Sequence, residues 1–278
     1  MRQAVRWPLL LALLPLLWSC ASSPRARALR AMDEGAYAQA AAAYREALHR
    51  TPDDHQLWRA LGRAEMAAHR PRAAREAFLE LARLAPRDPA AHILIGHTHE
   101  LERDYDLALA AYRRAVELAP DEARPHRVLG ARLLRWDRPR EAAVALTAAR
   151  RLQPDHAETH NALGLALHRS GDLAGAEATF RSGIRVHPRH VGLRLGLAAM
   201  LVNAGAHAQA LAVYDSVVEL SPRFAAAHVG RALLLDALGR RAEALDAFER
   251  AVQVADDPRP YATRLLRYKA RLSEVHPQ

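Results

Sequence analysis

A single cysteine, a single lysine and a scarcity of aromatic residues set the first limits on this 278-residue chain. The lone Cys20 excludes an internal disulfide and any cysteine-based zinc site. Of 40 basic residues only Lys269 is a lysine, which excludes a phosphate-cradling loop, whose lysine must directly follow a glycine-rich turn. Arginine supplies the remaining positive charge. The net charge of +9 therefore reads as a compositional skew, and no nucleic-acid partner is expected. Aromatic residues make up only 5% of the chain, too few for a β-sandwich or barrel. There is no G-x-S-x-G, H-E-x-x-H, G-x-G-x-x-G or C-x-x-C, so no enzyme and no cofactor is expected. What is abundant is alanine and leucine. Half the residues are apolar and 26% are charged, the composition of a folded, helical protein.

Residues 1–19 stand apart. Arg2 and Arg6 precede an apolar run, Trp7–Trp18, that is too short to span a bilayer comfortably. Small residues follow, the pattern of an export signal. Leu17-Trp18-Ser19-Cys20 resembles a bacterial lipoprotein signal, although Trp18 stands where a small residue is usual. That resemblance implies cleavage before Cys20, lipidation of its thiol, and a short linker over 20–24. With Ala21 following Cys20, it also implies attachment to the periplasmic face of the outer membrane. Cleavage after Ala21, giving a soluble periplasmic protein, and an uncleaved anchor are the alternatives.

The rest of the chain is periodic. Pro52, Pro86, Pro120, Pro154, Pro188 and Pro222 follow one another at intervals of 34 residues. Taking proline as position 32 sets repeat starts at 21, 55, 89, 123, 157, 191 and 225. Position 20 is then alanine in every repeat: Ala40, Ala74, Ala108, Ala142, Ala176, Ala210 and Ala244. Position 8 is always small: Ala28, Gly62, Gly96, Gly130, Gly164, Ala198 and Ala232. Position 24 is Tyr44, Phe78, Tyr112, Leu146, Phe180, Tyr214 and Phe248, and Gly35, Gly171, Gly205 and Gly239 occupy position 15. Small residues at 8 and 20 allow close helix approach, and the residue at 24 fills the space beside them and reaches the next repeat. Proline at 32 ends the second helix. Pro24 and Arg27 suggest a short or frayed first helix in repeat 1.

This pattern resembles the tetratricopeptide repeat family. The resemblance implies an all-α fold, a right-handed superhelical solenoid of seven helix hairpins over residues 25–258, with 259–278 as a C-terminal capping helix. In the capping segment Tyr261, Leu265, Leu266, Tyr268 and Leu272 alternate with basic residues, as an amphipathic cap requires.

Histidine is plentiful, but His92, His126, His160 and His228 all fall at position 4 of their repeats, too far apart to share one ion. Structural roles are expected for them, and no metal.

Function is therefore expected on surfaces. In a first helix, positions 4, 7, 8 and 11 share one face and positions 2, 5, 9, 12 and 13 another. The family resemblance implies that the second set lines a concave groove. It would carry Arg59, Arg63, His97, Arg124, Arg127, Arg135, Asn161, His168 and Arg169 in its N-terminal part, and Leu195, Val202, Val229 and Leu233 in its C-terminal part. Such a groove suits a protein or peptide segment, acidic with an apolar flank. A lipid-anchored protein of this type is similar to pilotin and tight-adherence pilus lipoproteins. That likeness implies a non-enzymatic scaffold assisting assembly of an envelope machine such as a pilus secretin. An adaptor for peptidoglycan hydrolases and a subunit of an exopolysaccharide synthesis or export complex are the alternatives.

Overall fold

The computed structural model describes residues 23–275; the expected signal segment and Cys20 lie outside the described residues. Among the described residues every regular element is a helix. The helices pair as repeat 1, α1 (Pro24–Asp33) with α2 (Tyr37–Arg50); repeat 2, α3 (His55–Ala67) with α4 (Pro71–Leu84); and repeat 3, α5 (Pro89–Leu101) with α6 (Tyr105–Leu118). Repeat 4 is α7 (Ala123–Arg135) with α8 (Pro139–Leu152), repeat 5 α9 (Ala157–Ser170) with α10 (Leu173–Val186), and repeat 6 α11 (Val191–Asn203) with α12 (His207–Leu220). Repeat 7 is α13 (Ala225–Ala237) with α14 (Arg241–Val254), followed by α15 (Arg259–Val275). Two compact units divide between Leu129 and Gly130. The first holds α1 to α6 and the start of α7, and the second holds the remainder.

Local chemistry sets the boundaries. The residue before each position-32 proline is pushed off the helical region, as at Thr51 (φ −138°, ψ 71°) and Ser221 (φ −142°, ψ 74°), so the second helix stops there. Two residues after that proline, position 34 caps the next first helix. Asp54 accepts from the Gln56 and Leu57 amides, and Asp88 from Ala90. His156 and His190 do the same through Nδ1. Repeat 1 begins on a Ser23 cap with Pro24 in the first turn, where a proline starts a helix rather than breaking it. Its first helix is accordingly short, with 10 residues against 13 in α3.

Between the helices of a hairpin, position 15 has positive φ in all seven repeats. Four of these residues are glycines, and the others are His69 (φ 59°), Arg103 (φ 65°) and Asp137 (φ 54°). The backbone requirement is therefore general and glycine is only its easiest answer.

The packing register is as the sequence implies. All seven position-20 alanines are 0% exposed. At position 8, a methyl group added to Gly62 would lie 2.2 Å from a ring atom of Phe78, and one added to Gly96 would lie 2.6 Å from Tyr112. The aromatic ring thus occupies the volume that a side chain would need. Phe180 meets both Gly164 of its own repeat and Gly196 of the next, which ties neighbouring hairpins together.

Position 4 supplies a second tie. Trp58 Nε1 donates to the Pro52 carbonyl at 2.7 Å, while Nε2 of His126, His160 and His228 lies 2.8–2.9 Å from the carbonyls of Pro120, Pro154 and Pro222. Each ring is held to the carbonyl of the preceding repeat's terminal proline, which is a structural role for these histidines. The second unit ends on α15. Tyr268 is buried with its ring centroid 4.8 Å from that of Phe248, and its hydroxyl donates to Asp236. Tyr261, Leu265 and Leu272 pack on the same core. Leu266, expected on the apolar side, is instead exposed.

Candidate functional site

The first-helix face carries the anticipated binding residues, and the structure sorts them into open and occupied ones. In the first unit, Arg59 Nη2 donates to Asp88, the residue that caps α5, so this guanidinium ties repeat 2 to repeat 3. It is a brace rather than a free contact. Arg63 and Arg124 are exposed. Arg127 is half-buried and partnered. His97 stands edge-on to the Tyr112 ring at 5.7 Å, and Tyr112 donates its hydroxyl to Glu100 at 3.1 Å.

In the second unit, Arg135 and Arg169 are exposed, and Arg169 donates to the Leu134 carbonyl at 3.3 Å. His168 Nε2 lies 3.3 Å from the Asn203 amide nitrogen. Asn161 is half-buried with its carbonyl oxygen unpartnered. The apolar members fare differently. Leu233 is 55% exposed and Leu195 half-buried, but Val229 is 4% exposed and belongs to the core, and Val202 packs against that core. The helical wheel places Val229 on an open face. In the structure it is sealed, as is Ile93 at the same position of repeat 3. Val229 joins the buried cluster formed by repeats 5 to 7, so its side chain is spent on packing.

Two hollows escaped the sequence reading. One, of about 510 Å³ in the second unit, lies between α10, α11 and α12. The other, of about 360 Å³ in the first unit, lies between α2, α3 and α4. Both are walled by second helices and floored by one face of a first helix, through Trp58 and Leu61 in the first unit and Leu197 and Leu201 in the second. Helix-wheel reasoning treats one helix at a time and does not reveal a hollow built from three. The sequence did carry one signal, because Arg194 breaks the run of tryptophan and histidine at position 4.

Among the described residues one trio, His99, Glu102 and Asp104, brings three possible ligand atoms within 4.8 Å. Glu102 is already held by Arg72 and Arg75 of α4, and two guanidinium groups repel a cation. The arrangement is that of a polar brace between repeats.

Burial, reinforced by Arg75, depresses the pKa of His99, and burial together with Arg114 does the same for His92. The folded state therefore takes up these protons less readily than the unfolded chain. Their contribution to stability is complete above the ordinary value of 6.5 and is lost as pH falls through the depressed values. Thermal melts should accordingly fall in midpoint as the pH drops below 6.5, with a shallower fall in His92→Asn/His99→Asn. Equal slopes in the two proteins would remove these histidines as the cause.

The sequence profile of the tetratricopeptide repeat family matches residues 25–68, 59–123, 129–185, 169–223 and 195–262. Among solved structures, the C-terminal part of a repeat-containing protein from Cytophaga hutchinsonii aligns at a TM-score of 0.69 and 12% identity, covering 85% of this chain and 97% of that one. YrrB, described as a TPR protein with an unusual peptide-binding site, aligns at 0.53 and 20% identity, covering 68% and 98%. MamA from Desulfovibrio magneticus RS-1 aligns at 0.54 and 23%, covering 60% and 95%. At these identities the likeness is one of fold. No curated protein matches the chain significantly.

Proposed function

The chain belongs to the tetratricopeptide repeat family, and from that premise we propose that it is a non-enzymatic scaffold that holds a protein or peptide segment on its first-helix faces. We place it, tethered through lipidated Cys20, on the periplasmic side of a bacterial outer membrane, assisting assembly of an envelope machine such as a pilus secretin. A repeat of this kind cannot bury its apolar surface alone, so stacking supplies the core and the outward side chains remain for partners. The observation that carries the reading is this division of labour. Positions 8, 20 and 24 are consumed by packing, while first-helix residues such as Arg63, Arg124, Arg169 and Leu233 stay exposed. Exposed guanidinium groups favour a carboxylate-bearing partner. The anchor rests on the residues around Cys20 alone.

Two measurements test it in cells of the natural host. Cys20→Ala should release the protein from the membrane pellet into the soluble periplasmic fraction, because the acyl acceptor is gone; a mutant that still pellets like wild type removes the lipid anchor. Photo-cross-linkers placed at Arg63 and Leu233 should give adducts with an envelope protein. If adducts form only from exposed second-helix positions such as Val144, the first-helix face is not the docking surface.

A further inference from the structure

The two hollows occupy the same place in the repeat, and their equivalent positions carry opposite charge arrangements. In the first unit, Arg45 at position 25 donates to Glu65 at position 11, a fully buried carboxylate, and Glu76 at position 22 stands in the wall. The floor is Trp58 and Leu61. This hollow supplies its own anions.

In the second unit the same positions read differently. Position 11 is Leu201, position 22 is Ala212 and position 4 is Arg194. Arg181, the counterpart of Arg45, has no carboxylate across from it and turns back to Glu177 on its own helix, at 2.8 Å. Arg185 is exposed. Arg194 is half-buried, and its Nε donates to Ser216 at 3.1 Å, while Nη1 is buried with no hydrogen-bond partner. Three guanidinium groups thus ring a hollow whose floor is Leu197 and Leu201, and whose lining contains no carboxylate.

A buried N–H of a charged group that finds no acceptor is costly to leave unmade. A carboxylate entering this hollow would satisfy it, and the planar guanidinium matches a carboxylate in geometry as well as charge. The apolar floor asks for an aliphatic or aromatic side chain beside that carboxylate. The volume, about 510 Å³, lies within the range that encloses such a group. A free inorganic anion would leave Leu197 and Leu201 uncovered.

We propose that this cleft is a second binding site, on the second-helix side, for an acidic segment of a protein partner. Its Asp or Glu carboxylate engages Arg194 Nη1 and Arg185, while a neighbouring apolar side chain lies over Leu197 and Leu201. The site uses positions 4, 7 and 11 of α11 and is separate from the first-helix face at positions 2, 5, 9, 12 and 13.

The test uses the full chain and an array of short fluorescent peptides, in which Glu and Leu or Phe take all relative placements in an Ala/Ser background. Some placements should bind, and replacing their Glu by Gln should weaken binding about tenfold or more, the equivalent of losing one charge-assisted hydrogen bond. Arg194→Met, which keeps the apolar stem, should weaken it as much. Ala212→Glu installs at position 22 the carboxylate that the first unit carries as Glu76, and should abolish binding. It alters an exposed residue, so an unchanged melt separates loss of the site from loss of fold. Arg151→Glu and Val144→Ser, at exposed second-helix residues outside the cleft, should leave binding intact. The proposal is overturned if no peptide of the array binds, if the Gln peptides bind equally, if Ala212→Glu binds like wild type, if inorganic phosphate displaces the peptide at equal concentration, or if Arg151→Glu alone removes binding.

Discussion

Phe180→Ala should destabilise the second unit by about 3–5 kcal/mol, the cost of emptying a buried aromatic site that its surroundings cannot close. The ring is 0% exposed, and it fills the space beside two glycines at once. A methyl group on Gly164 would lie 2.6 Å from its Cε1 atom, and one on Gly196 would lie 2.4 Å from it. Three helices, α9, α10 and α11, therefore lose a common filler. The same geometry predicts a reversal of sign. Gly196→Ala in the wild-type background should overpack and cost about 1–3 kcal/mol. In the Phe180→Ala background it should restore part of the loss, because its methyl enters the vacated volume. Val144→Ala, at a residue 73% exposed, should stay within about 0.5 kcal/mol of wild type. Repeat arrays melt in segments rather than all at once, so amide hydrogen exchange along α9 to α11 is the better readout. If Gly196→Ala destabilises both backgrounds equally, the ring and the glycine are not coupled, and the assigned register of repeats 5 and 6 is wrong.

What the sequence disclosed and what it withheld follow one physical line. Positions 8, 20 and 24 were legible because close packing admits few residue types there, so Ala142 or Gly96 repeats its identity or size each time. Position 15 was only partly legible. The left-handed turn is tolerated by His69, Arg103 and Asp137 when the flanking helices fix it, and the requirement hides behind non-glycine residues. The binding surface was least legible. Arg59 looked free on its own helix and is spent on Asp88, 29 residues away, while Val229 looked open and is buried in a core cluster shared by several repeats. Such pairings join different repeats, and a single helical wheel cannot display them. The hollow beside Arg194 was foreshadowed only as an irregularity at position 4, and its meaning required the second helices on either side.

The pair between exposed Arg45 and fully buried Glu65 gives the sharpest second test of that register. Glu65 is 0% exposed on α3, at a position where repeats 4, 5, 6 and 7 place Leu133, Leu167, Leu201 and Leu235. It is a charged residue in a slot built for leucine, held by Arg45 from α2 and, at 3.8 Å, by Arg70. Removing Arg45 strands the buried Glu65 carboxylate, so Arg45→Met should cost about 3 kcal/mol, the lower end of the penalty for a stranded buried charge because Arg45 is itself half-exposed and Arg70 remains nearby. Replacing the anion itself has the opposite expectation. Glu65→Leu restores the residue of the later repeats, frees two exposed arginines to solvent and should be neutral or stabilising by about 1 kcal/mol. The double variant Arg45→Met/Glu65→Leu should therefore be far more stable than Arg45→Met alone, and the coupling between the two sites should be large. Hydrogen exchange of α3 and α4, with thermal melts, measures all three proteins. Should Glu65→Leu prove the most destabilised of them, the carboxylate itself holds α2 and α3 together, and position 11 of repeat 2 is not the apolar slot that repeats 4 to 7 define.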